Sequence, residues 1–327
     1  MKTVKLPGLI DPHVHLRDPG ATYKEDIETG TKAAVAGGLS FVLDMPNNPE
    51  PTIRRSALDK KTRLVREKAM CGVGFIFGAS QDDNSAEFPK VQNLVYGLKV
   101  YMDSTTGSLL IEDSAVLEKI FERWGSEKPI VVHAEGDTMN NAIDLAKKFH
   151  NKLHIAHVSQ RSELRRIIEE KEKGVPITCE VTPHHLFLTD SDRDRLGHFG
   201  VMKPPLRPKR DVDFLWKHIG AIDCIATDHA PHTREEKLSD KPPYGVPGLE
   251  TSLPLMLTAV RERRITIETV IRMMHTRPKE IFAIPVTDKP VLAIDLDKSY
   301  IIDNSNLKTK CGWSPFHGMR VWGRREE

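Results

Sequence analysis

The sequence predicts an α/β fold of the (β/α)8 or TIM-barrel type, and three observations carry that expectation. Eight short apolar, β-branched runs recur along the chain, and segments with helical apolar spacing separate them. The stretch they occupy, from about Leu6 to Phe282, suits a fold that needs about 250 residues. Runs that are apolar at nearly every position fit parallel strands covered on both faces. No GxGxxG follows the first run, which counts against an open nucleotide-binding sheet.

In chain order, LPGLIDPHVH (6–15) opens the series, and the helical pattern 25–36 follows, closed by Gly37-Gly38. SFVLDMP (40–46) leads into the helical pattern 53–68, and CGVGFIFGA (71–79) is the third run. GLKVYM (97–102), PIVVHAE (129–135) and LHIAHVS (153–159) precede helical patterns at 115–124, 138–149 and 162–173, the last closed by Gly174. PITCEVTPHH (176–185) and DCIATDHAP (223–231) complete the eight. Two more helical stretches, 253–264 and 267–282, end a barrel unit expected over 1–284. Residues 285–327 read as short strands and turns, a small β-rich segment flanking the barrel.

Composition bounds the function without naming it. The 48 basic and 46 acidic residues leave a net charge of +2, so nothing global points to nucleic acid or a membrane surface. No run of about 18 apolar residues suggests a spanning helix. The start, MKTVKLPGLIDPHVH, reaches chemistry-bearing residues without an apolar leader, and the expected location is the cytoplasm. Cys71, Cys179, Cys224 and Cys311 form no CxxC pair and read as small buried hydrophobes in a reducing compartment.

The chemistry lies where a barrel keeps it. His13, His15, Lys99, His133, His157, Glu180, His184, His185, Asp228, His229 and His232 fall at or near the C-terminal ends of the expected strands. Residues two apart share a strand face, so both rings of His13-Val14-His15 can reach one ion. Alone, an HxH is more often a solvated or hydrogen-bonded pair. With two further strand-end histidines and a strand-end aspartate it becomes an N/O donor set for zinc or a similar divalent ion. Lys99, within an apolar strand, is either a stem snorkelling to water or a buried amine that burial keeps neutral and nucleophilic. Such an amine can take up carbon dioxide as an anionic carbamate. Asp228, in ATDHAPH, reads as a ligand and proton carrier, or as a turn carboxylate.

HVHLRDPG (13–20), DMPNNPEP (44–51), GLKVYM, VVHAE, HIAHVS, EVTPHHLFL, ATDHAPHT and PYGVPGLET (243–251) together resemble the dihydroorotases of the cyclic amidohydrolase superfamily. The resemblance runs in order from about Leu6 to Thr251. It implies a distorted (β/α)8 barrel with two zinc ions: His13, His15 and Asp228 on the first, His133 and His157 on the second, and Lys99 as a carbamate between them. It makes Asp228 the general acid and base. It further implies that Arg17 pairs with a substrate carboxylate, that Asn47 adds a hydrogen bond, and that His232, Tyr244 and Gly245 line the pocket. Thr105-Thr106-Gly107 resembles a loop that closes over substrate.

Lys203 stands where the family often has Asn or Arg. Glu180 and His185 suit either a further ion or the orientation of ligand histidines. The implied reaction is the reversible closure of N-carbamoyl-L-aspartate to L-dihydroorotate in pyrimidine synthesis. Hydantoinase, dihydropyrimidinase or allantoinase chemistry, or a non-catalytic scaffold, are the alternatives. Flanks shorter than the family's usual ones point to a homo-oligomer or a complex with another enzyme of that pathway.

Overall fold

In the computed structural model, which describes residues 3–326, eight parallel strands stand in sequence order: β2 (Leu9–Val14), β3 (Leu39–Asp44), β4 (Gly72–Gly78), β5 (Gly97–Tyr101), β6 (Ile130–His133), β7 (Leu153–Ile155), β8 (Ile177–Val181) and β9 (Cys224–Ile225). Beyond β9 the chain continues as a thin seam that closes the ring. His15 N–H donates to the His229 carbonyl at 2.8 Å, and Val14 bridges His229 in parallel. The Asp11 carboxylate accepts from Thr227 N at 3.1 Å and Thr227 Oγ1 at 2.5 Å, tying the first barrel strand to the last. The barrel expected from the eight apolar runs is the one found.

A second sheet, antiparallel, joins β1 (Thr3–Pro7), β10 (Pro290–Ile301) and β11 (Arg320–Arg325) in the order β1-β10-β11. The flank therefore takes in the start of the chain as well as its end. The run expected over 6–15 splits at Gly8, where a Cβ would lie 2.4 Å from Ser40 Oγ. With no side chain there, the backbone passes close to β3 and changes sheets. Residues 1, 2 and 327, included in the expected units, lie outside the described residues.

The helices follow the expected patterns, and several have side-chain caps at their starts. Asp26 accepts from Thr29 N ahead of Ile27–Ala36, and Asp113 from Ala115 N ahead of Ser114–Arg123. Arg55–Lys68, Gly136–Phe149, Arg161–Glu172 and Ser252–Arg261 complete the main outer shell. The expected continuous helix over 267–282 is broken into Ile267–Ile271, a π turn at Arg272–Thr276 and Arg277–Phe282. His275, in that turn, points Nδ1 at the Gly8 carbonyl and Nε2 at Asp288 Oδ1, both at 2.8 Å; each partner is an acceptor, so whichever ring nitrogen carries the proton donates. The end of the run 176–185 is also not strand: Pro183–Phe187 is a short helix capped by Thr182.

Side chains alternate along a strand, and this sets the floor of the site. Ile10, Leu43, Ile76 and Val131, from four strands, gather with Phe282 into one apolar cluster. Val131 is two residues before His133, so the apolar floor and the imidazole share the inward face. A separate cluster, with Trp313, Phe316 and Ile302 from the flank, packs on Met202, Leu206 and Val246. The flank thus leans on the loops that follow β8 and β9.

Candidate functional site

His13, next to last in β2, is oriented from behind. Its Nδ1 lies 2.5 Å from Glu180 Oε1, in β8. A carboxylate only accepts, so Nδ1 carries the proton and, in the neutral ring, Nε2 presents a lone pair to the cavity. Burial pushes Glu180 up, but the charges and hydrogen bonds of His13 and His154 outweigh it and hold the carboxyl well below the usual range. His154 Nε2 contributes a further contact to Glu180 Oε2 at 3.1 Å, and His157 N donates to Oε1 at 3.3 Å.

His15 is built the same way. Its Nδ1 donates to Asn47 Oδ1 at 2.6 Å, leaving Nε2 2.9 Å from Asp228 Oδ1. His13 Nε2 is 3.3 Å from that same oxygen. Burial pushes His15 down to about 4, so the ring is neutral near pH 7. Burial works against ionised Asp228 as well, yet the surrounding histidines hold its carboxyl well below the ordinary value. His13, His15 and Asp228 each present one ligand atom to the same point, and the three atoms lie within 4.8 Å of each other. That is the arrangement a divalent cation satisfies.

Across the cavity, Lys99 is the middle residue of β5, paired with Gly78 and Val131 and fully buried. Its Nζ has no hydrogen-bond partner, and neither has His133 Nε2. Burial pushes the Lys99 ammonium down to about 8 and His133 down to about 3; burial and His133 together hold His157 well below its ordinary value. His133 Nδ1 faces His157 Nε2 at 2.8 Å. Lys99 Nζ and His133 Nε2 thus form a second buried polar group that lacks hydrogen-bond partners among the described residues.

Backbone strain concentrates here too. Arg17, His157 and Asp228 have φ of 62°, 37° and 46°, left-handed values that a β-carbon disfavours. Arg17 is buried, and its Nε donates to the Pro231 carbonyl at 3.2 Å. Among the described residues no carboxylate forms an ion pair with it. Asn47 Nδ2 donates to the Thr106 carbonyl at 3.0 Å, and Thr106 Oγ1 to the Tyr244 carbonyl at 3.3 Å, which draws the 105–107 loop over the opening. Gly245, φ 130°, lies where a Cβ would be 2.6 Å from the Ala230 carbonyl.

His13, His15, Arg17, Asn47, Lys99, Thr105, Thr106, His133, His157, Lys203, Asp228, Tyr244 and Gly245 all line one cavity of about 20 Å³, room for about one water. Three expected residues stand outside it. Glu180 lies behind His13. His185 is occupied by Thr182 Oγ1 at 2.8 Å and the Pro204 carbonyl at 3.1 Å. His232 accepts from Lys24 Nζ at 3.2 Å and donates through Nε2 to the Tyr244 carbonyl at 3.0 Å, beside the Arg17 guanidinium. Sequence reasoning passed over Tyr101, which lines the cavity with an unpartnered hydroxyl, and Asp11. Each lies two positions from a residue already singled out, so strand alternation could have found both.

The amidohydrolase family model matches residues 4–285. The multifunctional protein CAD of Squalus acanthias is 43% identical over 99% of this chain, which spans only 14% of that protein's length. The dihydroorotase of Pyrococcus furiosus is 37% identical, with 98% of this chain and 78% of that protein aligned. Among solved structures, the L-hydantoinase (dihydropyrimidinase) from Arthrobacter aurescens superposes with a TM-score of 0.92 at 25% identity, covering 98% of this chain and 82% of its own.

Proposed function

The chain belongs to the amidohydrolase family, and from that premise we propose that it interconverts N-carbamoyl-L-aspartate and L-dihydroorotate, a cyclic amide hydrolysis that runs in reverse during pyrimidine synthesis. The observation that carries this reading is the pairing of a cation-ready donor set with a buried arginine that lacks an acidic partner in the same cavity. Relatives named dihydroorotase support the choice of substrate.

The residues fit two divalent ions, which we take to be zinc. His13, His15 and Asp228 would hold one and His133 and His157 the other, with Lys99 between them as a carbamate formed when its neutral amine adds carbon dioxide. Bound there, such ions supply Lewis-acid polarisation of a carbonyl and a lowered pKa for water. Asp228 contacts His13 and His15 through Oδ1, so Oδ2 takes the proton from the attacking water and returns it to the departing ring nitrogen. Arg17 grips the substrate carboxylate with a planar fork, and Asn47 adds a hydrogen bond; both contribute orientation.

Tyr244, Gly245 and Lys203 wall the opposite side, while His232 holds the Tyr244 carbonyl beside the Arg17 guanidinium. Thr105 and Thr106, which the Asn47 and Tyr244 contacts draw over the opening, close around the substrate and exclude water. Glu180 and His185 act by orienting His13 and the Pro204 loop, not as ligands of a further ion. The protein works in the cytoplasm, as a homo-oligomer or beside another enzyme of the pathway.

Hydantoinase-type chemistry would use the same ligands, but it gives Arg17 no carboxylate to meet. A non-catalytic scaffold would not need every ligand position filled by a competent side chain. Turnover of dihydroorotate, dihydrouracil and allantoin by metal-replete protein tests all three readings. Dihydroorotate should be turned over fastest; preference for either neutral ring would overturn the assignment, and no turnover of any would support the scaffold.

A further inference from the structure

Lys237 lies outside the cavity and takes no part in the mechanism above, yet its side chain is buried. It is the last residue of the HAPHTREEK stretch (229–237), at the end of the short helix Arg234–Lys237. Its Nζ donates to three backbone carbonyls: Val201 at 2.8 Å, Pro243 at 2.9 Å and Gly245 at 3.1 Å. An ammonium has three hydrogens, and all three are used. Among the described residues no carboxylate pairs with it. The Trp313 ring lies 5.7 Å from Nζ, and Trp313 Nε1 in turn donates to the His232 carbonyl at 2.8 Å.

The three carbonyls belong to two loops that meet nowhere near each other in sequence. One runs from Val201 to Lys203, the other from Pro243 to Gly245, and both end on cavity-lining residues. Among the described residues one direct backbone hydrogen bond also links them, from Gly245 N to the Val201 carbonyl at 3.2 Å. Burying a cation without a counter-charge is costly, and a neutral chain of the same length would fill the space equally well. What only an ammonium provides is a three-way clamp on those carbonyls.

We propose that Lys237 is a positioning residue whose ammonium clamps the 201–203 and 243–245 loops together, fixing the wall formed by Lys203, Tyr244 and Gly245 and so setting how tightly the substrate is held. This rests on the substrate reading above. The clamp lies on the wall and not on the donor set, so its loss weakens binding and leaves the chemical step and the metal complement in place.

The test compares Lys237→Met and Lys237→Gln with the parent, each loaded with zinc. Lys237→Met should raise KM for dihydroorotate by about tenfold with kcat within about threefold, while bound zinc per chain stays unchanged. Lys237→Gln, which keeps two donors, should fall between the parent and Lys237→Met. Hydrogen exchange should quicken in 201–204 and 243–246 and not in β5 or β6. An unchanged KM in folded Lys237→Met overturns the proposal, as does a joint loss of kcat and zinc, or failure of both variants to fold. If the parent itself turns over no dihydroorotate, the substrate reading fails instead, and the exchange pattern alone decides whether the clamp exists.

Discussion

On one side of the cavity, His13 and His15 each commit Nδ1 to an oxygen, Glu180 or Asn47, and aim Nε2 at Asp228. On the other, Lys99 Nζ and His133 Nε2 have no hydrogen-bond partner among the described residues, and His133 Nδ1 faces His157 Nε2. The first half is set in shape by the protein before any ion arrives. The second is a set of buried polar atoms that the protein itself does not pair. One half is an orienting frame, and the other leaves its polar atoms open to a ligand.

The sharpest way to break this contrast is Asp228→Asn. The frame should survive, since Glu180 and Asn47 still hold the rings, but turnover should fall by about 10³-fold or more, as for loss of a proton carrier that is also a ligand. Near-parent kcat would remove Asp228 from proton transfer. Lys99→Ala strikes the other half: metal analysis should find the ion of the His13 side retained and the second lost, with partial rescue of activity by short carboxylic acids. Two ions retained would end the carbamate proposal.

Glu180→Gln probes the frame itself. An amide can still accept from His13 Nδ1 but no longer carries the charge, so zinc affinity should drop about 10- to 100-fold in a chelator competition. No change would mean that Glu180 serves only packing. The smallest expected effect is on pH and stability in metal-free protein. His15 and His133 are pushed down to about 4 and about 3 from 6.5, so between those values the unfolded chain binds more protons than the native one. Stability should be intact above about pH 6.5 and decline as pH falls from there towards 4 and below. A Tm that stays level from pH 7.5 to 5 would count against neutral buried rings.

The contrast also explains what the sequence made readable. Barrel strands announce themselves because both faces are buried, and strand-end histidines stand out against apolar runs such as IVVH and LHIAH. Local pattern does not encode partners from distant loops. Glu180 behind His13 is 167 positions away, and the three carbonyls on Lys237 belong to the backbone, which carries no residue signature. The turn from β1 to β2 at Gly8 was hidden inside one apolar run, since strands of different sheets look alike when both are buried. Pro183–Phe187 was masked by a preceding strand, and the π turn by an unbroken helical spacing.

In the flanking sheet, Thr3 Oγ1 donates to Glu326 Oε1 at 2.8 Å, and Glu326 N donates to the Ala293 carbonyl at 2.9 Å. Entry and exit of the polypeptide therefore share one doorway. A host protein could carry this unit as an insert without a strap crossing the barrel, and a short bridge between the two ends would turn the molecule into a seamless loop that can be opened elsewhere.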